Sequence, residues 1–551
     1  MRRSLPVRAT ILSAAAALAV LAASCSSSSG GATVSDGKPE SGGSVTYAVD
    51  TEPTSWNIHV SPQDITGEIT RNVFDSLVSV DEKGGVHPWL ATSWKSTADL
   101  KSYTFTLRRD VTFTDGTPFD AAAVKANFDH IVSKSTKSLL AVNLIGPYTG
   151  TDVIDRYTAK VNFSKPFAPF LQAASTSYLG FYSPKALTDK ADQLAGGGSA
   201  AVGTGPFVFT SYTKGQQAVF TRNPAYKWAP DTAAHAGPAY LDRLTVRFLP
   251  ESSVRVGALT SNQVQVSRAI PAGQVSTVKS SGALQLLRRD QPGGSYNLYL
   301  NASKAPFNDQ RVRRAVQRGI DIATDVRTVY RNTYERAWSP ISPTTVGYDA
   351  SLKGSWPYDP ALAGRLLDEA GWTGRDAQGY RTKDGKRLTV EWPLLPAQYV
   401  RDNRIVLGEA IQADLKKIGV EVSRPTLDNG TYVERAYGGK VDILDNAFAR
   451  LDPDVLWALF SSASAPAAGG QNATFLADDQ LDQWTEQGRA TADPATRISV
   501  YGKVQQRAIS LATVVPIYVP SSAVGAAKKV QGLTFDASTW ITFHDAWITN
   551  S

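Results

Sequence analysis

Cys25 is the single cysteine in a chain of 551 residues, so no disulfide can staple any part of the fold. A chain of this length without covalent cross-links must be held by apolar burial. One core of ordinary size does not reach that far, and two or more lobes are expected. The material for such cores is present: hydrophobic residues make up 42% of the chain and charged residues 19%, as in folded soluble proteins.

The cysteine ends a distinctive stretch, "MRRSLPVRATILSAAAALAVLAASC". Two arginines precede a short apolar run, and small residues lead to Cys25. This pattern predicts a signal peptide over residues 1–24. "AASC" resembles a bacterial lipobox, with Ala22 where leucine is commonest and Leu21 one step earlier. The resemblance implies lipidation of Cys25. Residues 25–43 then read as a lipidated cysteine and flexible tether, because "SSSSGGATVSDGKPESGG" is too polar and glycine-rich to form a core. Such a tether holds the folded body roughly 20–25 Å from the bilayer. No later stretch has ~18 consecutive apolar residues, so no spanning helix is expected. The expectation is an exported protein on the outer face of the cytoplasmic membrane, in the periplasmic or cell-wall space.

The formal charge is +7, and removing Arg2, Arg3 and Arg8 with the signal peptide leaves +4. That surplus is too small and too dispersed to indicate nucleic acid as a partner. Catalytic motifs are lacking as well: there is no H-E-x-x-H, G-x-S-x-G or GxxxxGK[ST]. "STVK" (276–279) matches S-x-x-K without the companion motifs of penicillin-recognising enzymes. The five histidines (59, 87, 130, 235 and 544) stand far apart in sequence, without ligand spacing. The chain therefore reads as a non-enzyme, with no cofactor and no metal.

The body mixes strands and helices. Val45, Tyr47 and Val49 alternate as a strand, while Ile65, Ile69, Val73 and Leu77 keep helical spacing. "YTFTLRRDVTFTDG" alternates on both sides of an Arg109–Asp110 corner. Asp120 can cap a helix with Val124, Phe128 and Ile131 on one face. Asp359–Pro360 opens a helix that Gly371 ends, and Gly419 ends another before a strand. The class is α/β with at least two lobes.

Seven segments stand in a recognisable order: "GGSVTYAVDTEPTSWN", "WLATSWKSTADLKSYTFTLRRDVTFTDGTPFDAAAVKANF", "GTGPFVF…RNPAYKW", "APFNDQRVRRAVQRGID", "YDPALAGRLLDEAGW", "IQADLKKIGVEV" and "LDPDVLW". Together they resemble the family 5 bacterial extracellular solute-binding proteins, the peptide/nickel-type receptors of ABC importers. The resemblance implies a two-lobe periplasmic-binding-protein-like clamp of type II with an extra N-terminal subdomain. Lobe I would hold 44–291 and 516–551, with the subdomain at about 70–200. Lobe II would hold 292–515, and crossings near 291–300 and 514–520 would form the hinge. A monomer is expected, delivering its solute to a membrane permease.

The resemblance also implies where a ligand lies. A peptide would pair with the lobe II strand "DILDNAFA", placing Asp445, Asn446, Ala447, Phe448, Ala449 and Arg450 at the site. The lobe I side would be "DTEPTSW", with Asp50, Glu52 and Trp56. Peptide receptors hold the ligand amine with an aspartate three residues before an acid–proline step. Here that step is Asp452–Pro453 and the position is Ala449, so the amine partner is missing; Asp445 or Asp452 could substitute. The carboxylate clamp would fall at Gln398, near Tyr399, Arg401 and Arg404. Bland readings stand beside these: Asp452 as a helix cap, Arg450 as a solvated loop residue and Trp457 as core. Peptides or peptide-like solutes lead as cargo. Oligosaccharides follow, since twelve Trp and twenty-one Tyr leave rings to stack on sugars.

Overall fold

The computed structural model describes residues 37–549, excepting the side chain of Gln398. The expected signal peptide and Cys25 lie outside the described residues. Among those described, no helix is long and apolar enough to cross a membrane.

Apolar side chains gather into three cores. The first surrounds a seven-stranded sheet in the order Leu284–Asp290, Ser521–Ala527, Val266–Ser267, Ser44–Val49, Arg243–Phe248, Gln217–Arg222 and Phe207–Thr213. Ser44–Val49 is central and runs parallel to both neighbours. Both its faces are therefore covered, which explains why Ala48 is as deeply buried as Val45, Tyr47 and Val49. The second core packs the helix Ala121–Val132 on an antiparallel sheet of Ala91–Ser96, Ser102–Leu107, Thr158–Phe163 and Tyr148–Asp155. Asp120 caps that helix by accepting from the Ala123 amide, and Val124, Phe128 and Ile131 are its buried face. The third core joins helices such as Gln310–Gly319, Pro360–Glu369 and Arg404–Lys417 to a three-stranded sheet centred on Tyr296–Leu300.

The first and third cores are joined by two chain crossings that lie side by side. Asp290 pairs with Ser521 in the first sheet, and Tyr296 pairs with Tyr518 in the third. Between them the Gln291 amide donates to the Pro520 carbonyl at 2.8 Å. Gly293 sits in this crossing at φ +103°, and a Cβ there would come within 2.2 Å of the Phe448 carbonyl oxygen. Only glycine fits so close a backbone approach.

Three expectations need correction. The helix expected from Ile65 to Leu77 is only Asp64–Thr70. Beyond it the carbonyls of Asn72 and Val73 accept from Phe207 and Gly205, so tertiary bonding overrides the helical pattern. Residues 111–113 form an isolated bridge, Thr112 to Pro118, and not a strand. The limits of the first lobe also shift. Val514–Tyr518 belongs to the third sheet, which puts the return crossing at Pro520 and not at 516. At the other end Gly42 already donates to Tyr240, so the tether stops short of 43.

Candidate ligand cleft

The two lobes face one another across a cavity of about 160 Å³, room for on the order of ten water molecules and so for a solute of dipeptide size. From the N-terminal side come Asp64, Phe167, Gln172, Thr176 and Tyr178; lobe II supplies Arg450, Asp454, Trp457, Gln471 and Arg489; Trp540 closes a third side. Asp64 stands in the first turn of its helix, near enough to Arg450 for its charge to act on that guanidinium. Arg450 donates from one guanidinium nitrogen to the Ala449 carbonyl at 2.9 Å. Burial draws the Arg450 pKa down, while Asp64 and Tyr178 oppose that shift. The cavity thus has an acid on one lobe and a base on the other.

Its floor is a tighter charge cluster. Arg489 lies over the Trp457 ring at 3.9 Å and the Phe167 ring at 5.1 Å, with its Nε 3.4 Å from Asp454 Oδ2. Asp454 also accepts from the Tyr501 hydroxyl at 2.9 Å. Burial raises the Asp454 carboxyl to about 7, despite the opposing field of Arg489. The Ala168 amide donates to the Arg489 carbonyl at 2.8 Å, tying the subdomain to lobe II.

A second pocket, also about 160 Å³, lies within lobe II. Arg401, Arg404 and Arg424 meet Asp445 there among Tyr296, Tyr399, Tyr432 and Tyr437. Arg404 stacks on Tyr296 at 4.3 Å and donates to the Tyr518 hydroxyl at 2.9 Å; Arg424 stacks on Trp392 at 4.2 Å. Three guanidinium groups and one carboxylate line the pocket, with Arg404 also paired to Asp402 at 3.3 Å, and the lining is basic.

The expected site residues divide between these pockets and the protein interior. Ala449 and Arg450 line the inter-lobe cavity; Tyr399, Arg401, Asp445 and Asn446 line the basic pocket. Gln398 falls in the turn Ala397–Tyr399, and its side chain lies outside the described residues. Ala447 and Phe448 pack against the third core, and the Phe448 carbonyl accepts from Gly294. The lobe I trio is turned inward. Trp56 is 1% exposed, ringed by Phe209, Tyr212 and Phe248. Glu52 accepts from the Tyr212 hydroxyl and the Gly215 amide. Asp50 faces Arg268 at 3.1 Å, and although burial favours its neutral form, Arg268, Arg401 and Arg255 hold its pKa low. These side chains brace lobe I, and Thr51 among them meets lobe II, accepting from Arg401 at 3.1 Å.

Neither proposed substitute for the missing amine partner is free. Asp445 accepts from Tyr296 and from the Trp392 indole, and Asp452 forms a two-pronged pair with Arg497 at 2.6 and 3.0 Å. Asp452 also accepts from the Asp454 amide, while the helix Val455–Phe460 begins after Asp454. Arg450 and Trp457 are both half-buried and line the cavity. The S-x-x-K residues Ser276 and Lys279 are exposed on a short helix. Asp64, Arg489 and Trp540 could not be read as site residues from sequence, because they come from separate elements that meet only in the fold.

Two lobes, paired crossings and a cleft between them define a solute-binding clamp. Residues 85–468 match the bacterial extracellular solute-binding proteins, family 5, and the chain belongs to that family. It is 27% identical over 504 residues to the nickel-binding periplasmic protein of Escherichia coli K12, covering 89% of this chain and 92% of that one. It is also 27% identical over 455 residues to the probable D,D-dipeptide-binding periplasmic protein DdpA of the same organism, covering 81% and 82%. Among solved structures, NikA from Brucella suis in complex with Fe(III)-EDTA superposes with a TM-score of 0.80 at 28% identity, over 92% of this chain and all of that one.

Proposed function

We propose that this protein is a lipid-anchored, non-catalytic receptor that captures a small peptide or peptide-like solute between its lobes and delivers it to an ABC permease. The observation that carries the reading is that Asp64, from the N-terminal side, and Arg450, from lobe II, line one cavity. A ligand bearing both an ammonium and a carboxylate contacts both lobes at once, and its affinity for the closed form drives closure. Asp64 takes the role of amine partner that Ala449 lacks, and Arg450 takes the carboxylate. DdpA supplies a precedent for peptide cargo in a relative of similar length. Trp457 and Trp540 in the same walls favour oligosaccharide as the second reading, since indole faces stack on sugar rings.

Calorimetry with dipeptides tests the assignment. Free dipeptides should bind, N-acetylated ones about tenfold or more weakly, and Asp64→Asn should erase that difference. Equal binding of free and acetylated peptides to the parent protein would remove Asp64 from the site. Sugars binding in preference to all peptides would establish the second reading. The anchor is tested apart from the cargo: mass spectrometry of the native N-terminus should find acyl chains on Cys25.

A further inference from the structure

Outside the residues that line the cleft, a loop before the strand Arg243–Phe248 meets the C-terminal segment. His235 and His544, 309 residues apart, stack at 4.2 Å with their rings 16° from parallel, and Asp545 joins them. This corrects the sequence impression that the histidines stand apart. Tyr240 packs on His235, and Tyr226 meets the edge of His544. One donor atom from each of His235, His544 and Asp545 falls within 4.8 Å of the others.

We propose that His235, His544 and Asp545 form a binding site for a divalent cation of the zinc class. Two imidazoles and a carboxylate, without thiolate, are a donor set for such borderline ions. The spacing is near that of ligands around one ion, and the stacked rings must tilt for both lone pairs to meet it. His544 Nδ1 is 2.9 Å and His235 Nε2 3.5 Å from Asp545 Oδ1, while ligands at ~2.0–2.1 Å from a tetrahedral zinc lie about 3.3 Å apart. The atoms that would not touch the ion are already engaged. His544 Nε2 lies 2.9 Å from the Gly237 carbonyl, and Asp545 Oδ2 accepts from the Ala234 amide at 3.0 Å. Backbone partners of this kind fix the orientation of metal ligands. They also leave a neutral His544 with its proton on Nε2, so its Nδ1 lone pair faces a carboxylate oxygen. Two acceptors that close require a cation between them, either an ion or a second proton. Three protein ligands leave a further position open to water. The ion would clip the C-terminal segment to lobe I, four residues beyond Trp540 of the cleft wall.

The test uses the mature protein stripped with EDTA and titrated with zinc sulfate alone. One equivalent should bind at micromolar concentration or below, raise the melting temperature by several degrees, and show nitrogen or oxygen ligands at ~2.0–2.1 Å in X-ray absorption. His235→Ala and the milder His235→Gln should each weaken binding about tenfold or more while leaving the circular dichroism and peptide affinity of the metal-free protein unchanged. An ion captured instead by the ligand cleft would bind the variants and the parent alike, and that result overturns the site. So does the absence of binding at millimolar zinc, with NMR showing both nitrogens of His544 protonated.

Discussion

The inter-lobe cavity and the basic pocket of lobe II differ in how they are built. The inter-lobe cavity takes its walls from segments more than 300 residues apart and sets an acid beside a base. The pocket inside lobe II is assembled by one core, is basic, and survives any movement of the lobes. A cavity that closure creates can signal occupancy, because its contacts form only in the closed state. A preformed pocket can set affinity and charge preference but cannot report closure. Under the proposed function the first would be the sensing element, and the second would suit an anionic part of a longer ligand.

The largest expected effect falls at Asp452. Its pair with Arg497 is largely buried, and it anchors the loop that carries Arg450 into the cavity. Asp452→Ala leaves Arg497 without its partner and should cost about 3–5 kcal/mol in denaturant unfolding. An unchanged midpoint would mean that the loop is held by other contacts. Asp445→Ala acts on the other pocket. It orphans the Tyr296 hydroxyl and the Trp392 indole, an expected loss of about 1–3 kcal/mol for each donor left unpaired. Removing the lone carboxylate among three arginines should at the same time tighten binding of dicarboxylate peptides. Weaker binding of such peptides would show that Asp445 contacts the ligand instead of restraining the arginines.

Most of the fold was legible in the sequence because its signals are local. Asp120 and Asp359 cap the helices they announce, and the buried stripe of Val124, Phe128 and Ile131 follows from spacing alone. On the lobe II side Ala449 and Arg450, just beyond the strand Ile443–Asn446, line the inter-lobe cavity, while Arg401 and Asp445 line the basic pocket. On the lobe I side the reading failed. Chemistry suggested Asp50, Glu52 and Trp56, but their charges and ring are satisfied within lobe I by Arg268, Tyr212 and Phe209. Composition cannot tell a charge aimed at a ligand from one aimed at a neighbour. The residues that do face the cleft, Asp64 and Trp540, are brought there by topology.

A smaller effect separates the pockets by pH. Asp454 titrates near 7 when folded, against 3.8 for an unburied carboxyl. The folded state thus binds more protons between those values, and the stability this gives is complete below 3.8 and lost as pH rises through about 7. Its ionisation adds negative charge beside Arg489, so anionic ligands of the cavity should bind roughly three- to tenfold more weakly at pH 8 than at pH 6. Asp454→Asn should flatten both trends; a persisting slope would place the titrating group elsewhere.

The smallest change probes closure itself. Thr51→Val removes the acceptor for Arg401, an exposed bond worth about 0.5–1.5 kcal/mol. Because that bond joins the lobes, its loss falls entirely on the open–closed equilibrium. Scattering should show a larger open fraction in the unliganded protein, and affinity at the inter-lobe cavity should fall a few-fold. Binding of an isolated anion by the preformed pocket should not change by that route. If both affinities fell together, Arg401 would be acting through its charge in the basic pocket and not through its grip on Thr51.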